Sequence, residues 1–272
     1  MKILVTHINP HLDDIAAIWL FKKFHPDFKD ASLEFISAHE GNLGLTDSDD
    51  KIYFGVGRGK FDEHKGDLED CATSLVWKDI KNHPPAGGPK DEAKFKAYEE
   101  LVEWSRLIDL GKMPLQQFDE FSVQAFIRSK ESTQESSKEA AILGEKILDR
   151  ILFVLNRKQQ AILDWGKAKE FQTEFGKTIA IISETVDREF CRGQAADLFL
   201  MYNPKYKSVQ FFTPSFEIDL KPIYDKVKSL DPGASWFLHQ SHHMVICGSS
   251  SAPDSKPTKL TFEQLIELVK SV

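Results

Sequence analysis

The chain has 272 residues, 41% hydrophobic and 28% charged, enough for one large domain or two modest ones and unlike a disordered polymer. A net charge of −7 argues against a protein that coats nucleic acid without regard to sequence, while leaving room for a local basic channel. Cys71, Cys191 and Cys247 form no C-x-x-C pair and read as free thiols. No segment has the apolar length of a signal-peptide core or a membrane span, so a cytoplasmic protein is the expectation.

In chain order, residues 2–6 read as a short buried strand. Pro10 punctuates a loop, and the apolar spacing from Ile15 to Phe24 suits a helix. The histidines and aspartates between them therefore lie where a strand hands over to a helix, the usual address of a site in an α/β sheet. Ser32 to Ile36 and Lys51 to Val56 read as further strands, the latter running into a turn with Gly55, Gly57 and Gly59. That G-x-G-x-G lacks the spacing of a dinucleotide fingerprint.

Residues 71–81 read as a helix and 83–89 as a loop. From Asp91 the residues Phe95, Tyr98, Leu101, Val102, Trp104 and Ile108 step by three and four, as in an amphipathic helix. Ser129 to Ser137 is polar and expected to be exposed, and Ala140 to Trp165 is a long helix. Beyond it, Thr178–Ile182, Leu198–Tyr202, Val209–Thr213 and Trp236–Cys247 read as strands. Ile218–Leu230 and Thr261–Val269 read as helices. The expected fold class is α/β, with two α/β domains: residues 1–135 around a parallel sheet, a linker helix over 136–172, and a smaller domain over 173–272.

Three clusters gather metal-capable side chains. His7, His11, Asp13 and Asp14 fall within eight residues, directly after a strand. Asp62, Glu63 and His64 follow the glycine turn, and Asp109 ends the helix that begins near Asp91. Imidazole with carboxylate suits divalent manganese, zinc or iron. Taken singly, Asp13 and Asp14 are ordinary candidates for a helix N-cap; it is their density beside two histidines that points to a metal. Arg58, Lys60 and Lys65 beside the second cluster suit an anionic substrate.

These motifs carry a resemblance. Thr6-His7, His11 and Asp13, then Phe61-Asp62-Glu63-His64, then Ala72-Thr73-Ser74-Leu75-Val76, then Ile108-Asp109-Leu110-Gly111 resemble the DHH phosphoesterase superfamily. Within it they are most similar to the branch of the melanocyte-proliferating-gene exonuclease, which shows T-H-x-x-x-x-H-x-D-E-A, R-F-D-H-H and I-D-x-x-D-N-G. The resemblance covers most of residues 1–111. It implies a DHH-like first domain in which His7, His11, Asp13, Asp62, Glu63 and Asp109 ligate metal and His64 touches the substrate phosphate. It also implies that His239 reaches the substrate from the second domain. There His242, His243, Gly248 and Ser249 resemble in kind the family's histidine and glycine-rich segment, and the turn after the strand suits phosphate on backbone N–H groups.

The implied activity is hydrolysis of phosphate esters by a phosphodiesterase or exonuclease acting on nucleotides or short single-stranded oligonucleotides. Mn²⁺ is the foremost metal, with Zn²⁺ and Mg²⁺ as alternatives, as one or two ions; a homodimer is a further expectation. Two departures stand out. Glu63 replaces a histidine of D-H-H, and Gly55 stands where the family keeps a metal-bridging aspartate, so a second ion is expected to bind weakly.

Two other functions fit parts of the sequence. Pro10-His11-Leu12-Asp13-Asp14 is similar to the P-H-P-D-D motif of LmbE-type zinc-dependent N-deacetylases, where the histidine and second aspartate bind zinc and the first aspartate is the base. Glu63 and Gly55 also suit a nucleotide-binding module that has lost turnover.

Overall fold

The computed structural model of the chain describes residues 1–41, 44–65, 69–84, 91–113, 120 and 122–272. The loop expected at 83–89 lies outside the described residues from position 85 onward. The chain divides into two compact units, Met1–Asn156 and Arg157–Val272.

The first unit contains β1 (Ile3–His7), α1 (Leu12–Phe24), β2 (Ser32–Ile36), α2 (Ala38–Gly41), β3 (Lys51–Tyr53), α3 (Ala72–Asn82), α4 (Glu92–Asp109), α5 (Val123–Ile127) and most of α6 (Gln134–Trp165). Its sheet has the order β2-β1-β3 with all strands parallel, Ile3 facing Ser32 on one side and Lys51 on the other. A central parallel strand is covered on both faces, which is why β1 is an unbroken apolar run rather than an alternating one. The third strand stops at Tyr53, short of the expected Val56, because Gly55 takes φ +61 and Gly57 φ +90, values foreign to a strand.

Eleven of the thirteen residues of α1 are buried, the pattern of a helix enclosed by its neighbours rather than lying on a surface. It packs against α3 and α4, with Trp19, Tyr98 and Trp77 among the aromatic residues that fill the space. α6 closes another side. A side chain at Gly144 would bring its Cβ within 2.8 Å of Ile15, so glycine there permits the close approach. Ion pairs and hydrogen bonds hold the contact at its edge, Lys22 to Glu145 at 2.7 Å and Trp19 Nε1 to Asp149 at 2.9 Å.

The second unit contains the end of α6, β4 (Lys169–Thr173), β5 (Gly176–Ile182), α7 (Arg188–Arg192), β6 (Leu198–Asn203), β7 (Ser208–Phe212), α8 (Lys221–Leu230), β8 (Trp236–Leu238), β9 (Met244–Cys247) and α9 (Phe262–Lys270). Its mixed sheet runs β4-β5-β6-β7-β9-β8, with β5 and β6 parallel and the other neighbours antiparallel. Alternation along β6 divides the core: Leu198 and Leu200 join the apolar residues of α8 and α9, whereas Phe199 and Met201 join Ala161 and Cys191 on the other face. The strand region expected from Trp236 to Cys247 is a hairpin, β8 and β9, turning through His239 to His243. α8 starts at Lys221 rather than Ile218, with a proline in its first turn, where the missing N–H costs nothing.

Candidate metal centre

β1 ends at His7 and α1 begins with His11 as its N-cap, so both histidines flank the turn at the carboxyl end of the central strand. The turn is tight: Asn9 takes a left-handed φ of 58° ahead of Pro10. Its backbone N–H donates to Ser137 Oγ at 3.0 Å, and its side-chain amide to Ser132 Oγ at 2.7 Å. The 129–137 segment, expected to be exposed, thus carries a buried serine that secures this turn.

His7 sits with Nδ1 2.8 Å from the Ile8 carbonyl and Nε2 2.9 Å from Asp14 Oδ2. The first contact makes Nδ1 the donor and leaves Nε2 to its carboxylate, the orientation of a metal-ligating imidazole supported from behind. The same Asp14 oxygen accepts the His11 backbone N–H at 2.8 Å, which satisfies one of the free donors at the start of α1. The aspartate expected as an N-cap therefore acts from the third helical position, with His11 in the cap. Burial works against a charge on His7, but the hydrogen bond and charge of Asp14 outweigh it and push its pKa up to about 9.

Asp13 and Asp14 are 3% and 2% exposed. Asp13 is anchored through its backbone carbonyl, which accepts from Thr73 Oγ1 on α3 at 2.6 Å. Burial, followed by the charges of Asp14, Asp109 and Glu63, pushes the Asp13 carboxyl well above its usual range. Asp14 is lowered despite its burial, because His7 holds it ionised. A Cβ on residue 55 would lie 2.0 Å from Asp14 Oδ1, so glycine at that point makes room for the Asp14 carboxylate.

The F-D-E-H segment returns beside the sheet, with the Gly55 N–H donating to the Phe61 carbonyl at 2.9 Å. Asp62 accepts from the backbone N–H groups of Arg58 at 2.5 Å and His64 at 3.0 Å, and lies 2.9 Å from His64 Nδ1. Glu63 Oε2 is buried without a hydrogen-bond partner among the described residues. Burial first, with the charges of Asp14 and Asp109 behind it, raises Glu63 to about 7. Asp109 stands at the last residue of α4, where the helix dipole disfavours a carboxylate, and burial and Asp14 raise its pKa as well.

These residues form two adjoining groups, each with ligand atoms within 4.8 Å of one another: His7, His11 and Asp14, and Asp13, Glu63 and Asp109. Asp62, Glu63 and His64 form a third, within a single turn. All of them line one cleft of about 680 Å³. A smaller cleft of about 190 Å³ shares His11, Asp13 and Asp109 with it and adds Gln124 and Arg128, which nothing in the local sequence singles out.

The remaining expected residues lie elsewhere. Arg58 is exposed beside the glycine turn, and Lys60 pairs with Asp79 at 2.7 Å. In the second unit His239 contacts Ser241 Oγ at 2.8 Å, His242 contacts Asp219 at 3.0 Å, and His243 meets the Phe216 ring edge-on at 5.1 Å. Gly248, with φ +76, and Ser249 follow the other end of β9 from these histidines, so that strand separates the two halves of the expected phosphate-binding segment. Among the described residues no helix is long and apolar enough to cross a membrane.

No protein-family model matches the chain, and no curated protein matches it. Among solved structures it is similar to the crystal structure of RecJ in complex with Mg²⁺ from Thermus thermophilus, at a TM-score of 0.31 and 11% identity. The likeness covers 99% of this chain and 49% of that one, so the chain spans about half the length of the structure it matches.

Proposed function

We propose that the chain is a divalent-metal-dependent phosphoesterase that cleaves phosphodiester links in nucleotides or short single-stranded oligonucleotides, with Mn²⁺ as the foremost ion. The observation that carries this is the convergence of two imidazoles and four carboxylates, His7, His11, Asp13, Asp14, Glu63 and Asp109, on one cleft at the end of a parallel sheet. The residues suit such an ion. Imidazole with carboxylate oxygen is a donor set for manganese or zinc. Burial first, and the charges of nearby carboxylates after it, raise the pKa values of Asp13, Glu63 and Asp109, a cost that a cation would relieve, and Glu63 Oε2 has no other partner among the described residues.

When bound, the ion supplies a lowered pKa for water and screening of phosphoryl oxygens. The protein supplies position and protons. Asp14 and the Ile8 carbonyl orient His7, while Thr73 holds the start of α1 against α3. Burial opposes a proton on His64, but Asp62 raises its pKa, so this imidazole stands at the cleft as a cation or acid for the departing oxygen. Within the first unit, Arg58 and Lys60 beside the F-D-E-H segment are the proposed contacts to the rest of the substrate.

Purified protein is expected to take up Mn²⁺ and to hydrolyse bis-nitrophenyl phosphate and short oligonucleotides only when loaded. Folded protein that turns over neither with any divalent ion overturns the proposal.

A second reading is supported by the grouping of His7, His11 and Asp14 within 4.8 Å, with Asp13 beside them. That is the arrangement a zinc-dependent N-deacetylase would use, with Asp13 as base. Acetate release from an N-acetylglucosamine conjugate, without phosphodiester cleavage, separates it from the first reading.

A further inference from the structure

Only Ile8, Asn9 and Pro10 join His7 to His11. Asn9 has a left-handed φ of 58°, which is unfavourable for any residue with a Cβ, though least so for asparagine. Pro10 cannot share in any adjustment, because its ring fixes its own φ near −65°. The backbone at Asn9 therefore sets the separation of the two imidazoles, whose ring centroids stand 5.1 Å apart.

The group that holds Asn9 in this state lies 128 residues further along the chain. The Asn9 backbone N–H donates to Ser137 Oγ at 3.0 Å, and Ser137 is 0% exposed. Ser137 is itself fixed in the first turn of α6, where its N–H donates to the Thr133 carbonyl at 3.0 Å. Three residues before it, Gln134 accepts from the Phe35 backbone N–H at 3.2 Å and donates its side-chain amide to the Phe35 carbonyl. The start of α6 is thus tied to the carboxyl ends of two neighbouring strands, to β2 through Gln134 and to the turn after β1 through Ser137. Neither residue lines the cleft.

We infer that Ser137 is a positioning residue for the metal centre: by holding Asn9 left-handed, it sets the His7–His11 separation that an ion meets. This rests on the reading of the cleft as a metal centre and adds a support that lies outside the cleft. A hydroxyl at this place can also serve only to dock α6. Lys22 separates the two roles, because its 2.7 Å pair with Glu145 docks the same helix without touching the turn.

The probes are Mn²⁺, titrated calorimetrically, and Co²⁺, whose visible absorption reports the geometry of its ligands. They are applied to wild type, Ser137→Ala, Asn9→Ala, the Ser137→Ala/Asn9→Ala double variant and Lys22→Met. Ser137→Ala and Asn9→Ala are each expected to weaken Mn²⁺ binding roughly tenfold, the scale for losing a group behind a metal ligand, and to change the Co²⁺ spectrum. The double variant is expected to bind hardly more weakly than either, because both substitutions remove one support. Lys22→Met is expected to lower the urea midpoint while leaving affinity and spectrum as in the wild type.

Wild-type affinity and spectrum in folded Ser137→Ala, or in Asn9→Ala should the serine variant fail to fold, overturn the inference. An equal loss in Lys22→Met does the same. A wild type that binds neither ion overturns it together with the metal centre. Turnover of bis-nitrophenyl phosphate is measured alongside. Weakened binding in Ser137→Ala without any wild-type turnover upholds the positioning role and removes the hydrolase reading; wild-type turnover with unchanged binding in Ser137→Ala does the reverse.

Discussion

Two histidine–carboxylate pairs of nearly equal length occupy the two units. His7 and Asp14 are 2.9 Å apart with side chains 16% and 3% exposed, while His242 and Asp219 are 3.0 Å apart with side chains 40% and 59% exposed. The exposed pair is screened by water and pins a surface turn. The buried pair has Asp13, Glu63 and Asp109 as neighbours, and the charges there perturb one another strongly. Separation alone does not distinguish a metal centre from a tethered loop. Exclusion of water and the accumulation of like charge do.

The sharpest way to break this comparison is to remove each carboxylate. Asp14→Ala is expected to weaken Mn²⁺ binding roughly hundredfold or more, as loss of a ligand or its orienting partner does, whereas Asp219→Ala leaves it unchanged. Isothermal calorimetry reads both; equal effects would erase the distinction.

Gly55→Ala tests the space around the buried pair. The new Cβ meets Asp14 Oδ1 at 2.0 Å on a backbone with φ +61, so a loss of about 3 kcal/mol in urea unfolding is expected. Gly248→Ala provides the contrast. It shares the positive φ but has nothing nearer than 3.5 Å, and the backbone penalty alone, about 1 kcal/mol, is expected.

Titration offers a third handle. His7 is raised from 6.5 to about 9, so its contribution is complete below pH 6.5 and is lost as pH rises through 9. Glu63 is raised from 4.5 to about 7, so its burial becomes costly as pH climbs through that interval. Both make the metal-free protein less heat-stable from pH 5 to 9. Bound Mn²⁺ displaces those protons, so its stabilising shift in Tm should grow over the same span. A metal-induced shift independent of pH would count against these groups as ligands. The smallest effect is reserved for Thr73→Val, which removes the bond to the Asp13 carbonyl and should cost about 1 kcal/mol by thermal melting.

The α/β class was legible because periodicity reports burial: the unbroken apolar run of β1 and the three-and-four spacing of α4 both reappear in the fold. The density of His7, His11, Asp13 and Asp14 after a strand marked the turn where the cleft opens. Other features depend on distant contacts. The burial of Ser137 follows from an Asn9 backbone that needs a partner 128 residues away. The space that Gly55 leaves for Asp14 follows from how β3 and α1 meet, and neither neighbourhood announces it. Arg128 has no motif around it at all; only the course of the chain after α4 brings it beside His11 and Asp109.

The enclosure of α1 has a consequence for the choice of ion. A rod gripped along nearly its whole length cannot slide or tilt to suit its cargo, so His11, Asp13 and Asp14 at its head keep a set spacing. Glu63 comes instead from an irregular turn, outside any helix or strand. On the proposed metal-binding reading, fit to cations of different radius would rest on Glu63 rather than on the three side chains that α1 holds at a set spacing.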